Sequence, residues 1–427
     1  MRVTAGQEDV EHDPWPSRRL VSIWFTCFAV YAGLLALFAG GEDGIWGAWG
    51  LGAYAVAALI IRFDGTSKSP TGDRWWPALT VIVAGGLIGP FLYLSLTRPD
   101  PAEVTVMARG AVHLLRHGTP YLPVGQLTAW TSYNPYLPLM DLFGLPRAGL
   151  GTAAGLARVI GDPRVYTSLF TCSVLAISFA LMATHDIRAC RHCRARTARI
   201  TAIAVASPII GFPLVLGITD PPVIAVTIAA LAFLSRGWLT RTALAVAVAC
   251  ALKYTAWPLV PVFAVMSWAR YSPRAAVRLI VTIGVAACAL ALAGAPNALS
   301  SPASVMQNTI DYPLGLTKIK TVAASPLPGH LLASTGKAGH AAAVAILLVA
   351  GLAFAAWLIR RPPRSYRDVA VRLAVAYTGM FTLAPATRYG YYIYPLALVC
   401  WLPLADAAAR QQAPLADSYE PSRQEAR

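Results

Sequence analysis

Residues 20–40, 77–96, 166–183 and 341–359 are four apolar runs, each close to the ~20 residues a helix needs to cross a hydrocarbon core. A segment in lipid must satisfy its own backbone hydrogen bonds, so runs of this length admit helices and little else. Shorter apolar stretches fill much of the chain between them. Only 13% of the residues are charged, where a soluble chain carries about 25%. These features predict an all-α, polytopic integral membrane protein with about 10–12 membrane-embedded helices. One transmembrane unit is expected over 20–408, between polar, disordered tails at 1–19 and 409–427. No secretory signal peptide is read at the N-terminus, because the first apolar run lacks a cleavage site.

The net charge of +15 does not point to nucleic acid, since no basic stripe interleaved with aromatics is present. Its arginines sit in short loops between apolar runs, the pattern of cytoplasm-facing loops. Five lie in 188–199 and five in 360–372. With these loops and both termini inside, two long segments fall outside: 98–163 and 298–339. Each is expected to carry amphipathic helices. Parity leaves 136–160 as a surface or re-entrant helix, broken by Pro146 and several glycines. The apolar stretch 243–269 has basic loops at both ends, which predicts a hairpin of two short helices with its tip at 253–258. Localisation to the plasma membrane follows, as a multi-pass protein with both termini cytoplasmic.

The residues able to carry chemistry gather on the outer side. Glu103 opens the segment "AEVTVMARGAVHLLRHGTPYL", whose apolar positions Val104, Met107, Ala111, Leu114 and Leu115 fit an amphipathic helix along the membrane surface. Two readings stand for Glu103. An acid in the first turn complements the helix dipole, and a carboxylate at the membrane surface can act as a general base. The same helix carries His113. Only five lysines stand against thirty arginines. Lys253 lies at the hairpin tip, and Lys318 and Lys320 lie in the second outer segment. With Arg388 they would form a cationic site for a phosphate. Asp220, in "GITDPP", reads as a helix cap or a second acid, and Asp311 is a further acid. Arg388, Tyr389 and neighbouring tyrosines in "ATRYGYYIYPL" suit either an interfacial aromatic belt or sugar stacking. Cys190 and Cys193 flank His192, but structural zinc needs four ligands and no second pair follows. No metal and no cofactor are expected.

The order of these features resembles the GT-C superfamily of polytopic glycosyltransferases. An outer-loop acid follows an early span. A helix then ends in Gly-x-x-Tyr, here "HGTPY", and "YNPYLPLM" with Asn134 and Tyr136 enters a surface helix. The likeness is closest to the actinobacterial branch that includes polyprenyl-phosphomannose-dependent mannosyltransferases. There the acid segment reads Asp-Leu-x-Val-Tyr, followed by Gly-Ala. Here Glu103 to Met107 and Gly110-Ala111 occupy that register. "ALKYTAWPLVPV" resembles the family's Leu-Lys-x-x-Pro hairpin, with Pro258 displaced. The chain departs from the pattern at Glu103, at Met107 and at Gly217 to Asp220, where Gly-Gln-x-Asn is usual. The resemblance implies a polyprenyl-phosphate sugar donor within the membrane lipid and a glycan or glycolipid acceptor. It also implies a metal-independent inverting transfer with Glu103 as base. Lys253, Lys318, Lys320, Arg388, Tyr389, Asn134, Tyr136, His113, Asp220 and Asp311 would serve binding. The alternative is a transporter or lipid-linked-sugar flippase, which usually shows paired repeats and charges at mid-membrane; no repeat is visible.

Overall fold

The computed structural model describes residues 18–63, 75–151, 155–183 and 191–409. The tails at 1–17 and 410–427, the loop 64–74 and the first part of the basic loop at 188–199, with Cys190, lie outside the described residues. Among the described residues the chain is helical and has no strand; one isolated bridge joins Ala324 to Thr387.

Among the described residues, six helices are long and apolar enough to cross a membrane. They are α1 (Arg18–Phe38), α2 (Gly41–Arg62), a third made of α3 (Trp75–Val83) and α4 (Gly89–Thr97), α9 (Pro163–Ala183), α15 (Pro273–Gly294) and α18 (Lys337–Arg360). A π-helical turn, Ala84–Ile88, joins α3 to α4. Around these pack α10 (Arg191–Ala206), α12 (Asp220–Ser235), α13 (Leu239–Leu252), α14 (Leu259–Arg270), α19 (Tyr366–Leu383) and α20 (Ile393–Ala409). The expected all-α, polytopic class is what the chain adopts.

α12 is apolar around its whole circumference and buried along almost its whole length. A helix of that pattern belongs at the centre of a bundle, and α12 packs against α9, α13, α19 and α20. The apolar stretch 200–216 does not form one continuous helix. α10 stops at Ala206, a turn follows, and α11 (Gly211–Leu216) resumes. Pro208 has no N–H to continue the ladder, and the amides of Ile210 and Gly211 turn back to the Ser207 carbonyl.

The hairpin expected between two basic loops is present. Lys253 is extended, and a short 3-10 turn, Tyr254–Ala256, separates α13 from α14. Such a break leaves carbonyls at the end of α13 without helical partners. One of them, Leu252 O, accepts from the Leu137 amide at 3.2 Å. The freed backbone of the hairpin therefore anchors the first long segment.

That segment folds as α5 (Ala102–His117), then three short helices: α6 (Pro138–Asp141), α7 (Leu145–Leu150) and α8 (Leu156–Ile160). This is the broken helix expected over 136–160. The apolar stripe of α5 does not lie on lipid as its spacing suggested. Val104, Met107 and Ala111 are fully buried, because α6, α7 and the turn between them cover that face; Leu115 alone of the stripe is largely exposed. The close approach depends on Gly110, since a Cβ there would stand 2.1 Å from Asp141 Oδ1. The Asn134 amide nitrogen donates to both Asp141 oxygens at 3.0 Å, and burial raises the Asp141 carboxyl well above its usual range, although Asn134 and Arg109 oppose the shift. Asn308 joins this knot from the second long segment, which carries α16 (Pro302–Met306) and α17 (Pro328–Ala333), its side-chain oxygen accepting from the Asn134 backbone N–H at 2.7 Å.

A second polar knot ties the same end of the bundle to α9. Arg164 is buried, donates to Asp162 at 2.7 Å and to Ser95 Oγ at 3.0 Å, and reaches Val215 O at 3.2 Å. It thereby joins α4, α9 and α11.

Gly110→Ala should fold poorly, since overpacking a filled interior costs about 1–3 kcal/mol and here the nearest atom is a buried carboxylate oxygen. A thermal melt of the detergent-solubilised protein, followed by size exclusion, should show a lowered midpoint. A midpoint equal to wild type would mean that α5 does not sit against Asp141.

Candidate active site

Glu103 stands in the first turn of α5 and is followed by the buried Val104. Val104 packs against Gly217, where a Cβ would lie 2.3 Å from Val104 Cγ2. Gly217 also has φ +75°, a conformation open to glycine at little cost. The turn it makes delivers Thr219 to Glu103. Glu103 Oε2 accepts from the Thr219 amide and from the Thr219 hydroxyl, both at 3.0 Å.

The same hydroxyl oxygen accepts from Lys253 Nζ at 3.2 Å. Lys253 also donates to Asp220 Oδ1 at 2.5 Å, and the Tyr394 hydroxyl donates to that oxygen at 2.8 Å. Thr255 Oγ1 lies 2.8 Å from the Tyr394 hydroxyl. A continuous polar chain thus runs from Glu103 through Thr219, Lys253 and Asp220 to Tyr394. Asp220 opens α12 but caps nothing with its side chain; its carboxylate is held by Lys253 and Tyr394 instead. Aromatic faces flank the lysine, with the Tyr136 and Tyr391 rings 5.6 and 5.4 Å from Nζ.

Arg388 approaches from the other side. Its Nη1 donates to Glu103 Oε1 at 3.1 Å. The backbone around it is fixed by the second long segment: the Thr387 amide donates to Ala323 O, the Ser325 amide to Thr387 O, and the Tyr389 amide to Ser325 Oγ, at 2.9 to 3.0 Å. Burial works against the Arg388 cation, but the neighbouring Tyr391 and Glu103 outweigh it and hold the guanidinium above its usual value. Burial, aided by the Glu103 charge, holds the Tyr136 hydroxyl well above its usual value, so it stays a proton donor.

A small cavity of about 50 Å³ opens between these groups. Glu103, Tyr136, Lys253, Arg388 and Tyr391 line it, together with Thr321 from the second long segment. Both long segments, the hairpin tip and the turn before α20 therefore meet at one end of the bundle around one polar pocket.

The expected site residues divide accordingly. Glu103, Lys253, Arg388 and Tyr136 line the cavity, and Asp220 sits beneath it on Lys253. Lys318 and Lys320 are exposed on the stretch that leads to Thr321. Tyr389 is exposed, with its amide on Ser325. Asn134 is spent on Asp141 and Asn308 rather than on the pocket. His113 Nδ1 lies 2.6 Å from Thr119 O, beside the His117 ring, and neither His113 nor Asp311 lines the cavity. Sequence reasoning did not single out Thr219, which contacts both Glu103 and Lys253. The only signal for it was its place between Gly217 and Asp220.

The comparisons meet this site in part. Residues 131–270 match the family described as alpha-(1->6)-mannopyranosyltransferase, N-terminal domain. The match spans about a third of the chain and includes Tyr136, Thr219, Asp220 and Lys253, while Glu103 and Arg388 lie outside it. It supports a GT-C-like mannosyltransferase of the actinobacterial type, and glycosyltransferase activity in general. No curated protein and no solved structure matches the chain.

Lys253 and Asp220 are both almost fully buried. Removing one partner of such a pair strands the other and costs about 3–5 kcal/mol, whereas removing both costs much less. Lys253→Met should therefore lower the thermal midpoint more than Lys253→Met combined with Asp220→Leu. A double variant at least as unstable as the single would show that the two charges do not depend on each other.

Proposed function

We propose that this chain is an inverting glycosyltransferase of the plasma membrane. It moves a sugar, mannose or another polyprenyl-phosphate-linked sugar, to a glycan or glycolipid acceptor on the outer face. The observation that carries this reading is the placement of the Glu103 carboxylate. It faces a polar pocket with one oxygen fixed by two donors and the other turned toward a guanidinium.

In the reaction the acceptor hydroxyl oxygen attacks the anomeric carbon from the face opposite the phosphate. The bond between that carbon and the phosphate oxygen breaks, and its electron pair leaves with polyprenyl phosphate. Glu103 takes the hydroxyl proton, which a carboxylate at hydrogen-bond distance can do. Arg388 faces the charge that gathers on the leaving phosphate, since guanidinium binds phosphate oxygens in paired fashion. Lys253 is held to Asp220 and contributes its field and its hold on Thr219 rather than a free cation. Lys318 and Lys320 would draw the anionic headgroup to the mouth of the pocket.

A transporter or flippase is favoured less. Among the described residues, the buried charged side chains are Asp141, Arg147, Asp162, Arg164, Asp220 and Lys253. All belong to the elements gathered at the pocket end, whereas a transport path usually places charges at mid-membrane.

Glu103→Gln keeps the shape and removes the base. It should express and fold like wild type, and sugar transfer from a polyprenyl-phosphate donor in membranes should fall by at least ~10²-fold; transfer at the wild-type rate would make Glu103 a helix-end acid only. The orientation has its own check. In a cysteine-free background, Ser300→Cys should react with an impermeant maleimide added to intact cells, and Arg361→Cys only after the cells are opened. The reverse pattern would put the pocket on the cytoplasmic side.

A further inference from the structure

The pocket holds two ion pairs, and they differ in how firmly they are held. Lys253 and Asp220 are 5% and 3% exposed, at 2.5 Å, with Tyr394 as a further donor. Arg388 and Glu103 are 37% and 19% exposed, and a single contact at 3.1 Å joins them. The first pair is a fixed part of the bundle. The second faces the cavity and is of the kind whose net contribution is small.

The two oxygens of Glu103 are likewise unequal. Oε2 is occupied by the Thr219 amide and hydroxyl. Oε1 is the oxygen left for an incoming hydroxyl, and Arg388 Nη1 lies against it. As long as that contact stands, the guanidinium fills one of the two acceptor positions of the less occupied oxygen and competes there with an incoming hydroxyl. The same contact uses a donor that a phosphate would need.

From this we infer that the Glu103–Arg388 ion pair is a latch that an anionic phosphate opens: the phosphate takes Arg388, and Glu103 Oε1 is released to receive the acceptor hydroxyl. Thr219 is the positioning residue that makes the latch work, because it keeps the carboxylate in place when Arg388 leaves. Binding is then ordered, with the lipid phosphate before the acceptor. A carboxylate uncapped only in the loaded state is not offered to water or to acceptor before a donor is present. The inference rests on the donor assignment above.

The experiment measures binding of polyprenyl phosphate, without sugar, to the purified full-length chain in lipid nanodiscs, with the matching polyprenol as the uncharged control. Wild type should bind the phosphate in preference to the polyprenol. Glu103→Gln, which removes the carboxylate that competes for Arg388, should bind it roughly fivefold more tightly, the order expected for a partly exposed pair. Glu103→Ala should change affinity in the same direction and replaces the Gln variant if that one does not fold. Arg388→Met should lose the preference for phosphate over polyprenol. A Glu103 variant that binds the phosphate no more tightly than wild type overturns the latch and leaves the donor assignment standing. A wild type without preference for the phosphate overturns the donor assignment, and the latch with it.

Discussion

The buried contact between Lys253 and Asp220 is the constraint from which the rest of the site follows. Lys253 occupies the break between α13 and α14, and Asp220 opens the central helix α12. Two charges withdrawn from water are tolerated only when each is paired and hydrogen-bonded. Tyr394 supplies a further donor to Asp220, and Thr219 accepts a further bond from Lys253. The pair thus fixes the hairpin tip against the N-terminus of α12 and against the start of α20. Because Thr219 belongs to the same contact, its hydroxyl proton is left for Glu103. A structural ion pair thereby orients the candidate base.

The surrounding architecture exists to let backbones approach one another at that point. Gly217 admits Val104, and Gly110 admits Asp141. Each is a place where one methyl group would separate α5 from its support. The Arg164 knot holds α4, α9 and α11 together below the pocket, and the Asn134–Asp141–Asn308 knot joins the two long segments above α5. Irregular backbone is thus placed where protein side chains and carbonyls satisfy it, as lipid would not.

The pocket itself divides its charges between fixed and exchangeable ones. Desolvation makes the Lys253–Asp220 pair costly to separate, while partial exposure makes the Glu103–Arg388 pair cheap to exchange. A site with all four charges buried would be rigid but closed to an anionic ligand. A site with all four exposed would not hold a carboxylate oxygen within 3.0 Å of two donors.

Much of the fold was legible in the residues. The apolar runs dictated helices because nothing else satisfies a backbone in lipid. The basic loops on both sides of 243–269 required a hairpin, and the scarcity of lysine singled out Lys253. Glu103 and Arg388 were legible as candidates because they are charges set beside apolar segments. What the linear pattern could not convey is which surfaces meet. The stripe of α5 looks the same whether lipid or protein covers it, and the covering by α6 and α7 is a tertiary fact. Asp220 before Pro221 and Pro222 looks like a cap, and only the distant Lys253 makes it an ion-pair partner. Thr219 carries no local signal beyond its place between Gly217 and Asp220. Its importance arises because a left-handed turn at Gly217 brings it between two residues that stand 116 positions before it and 34 after it. Period and charge are local properties of a chain and were readable there. Partner identity depends on packing between remote segments, and only the folded bundle decided it.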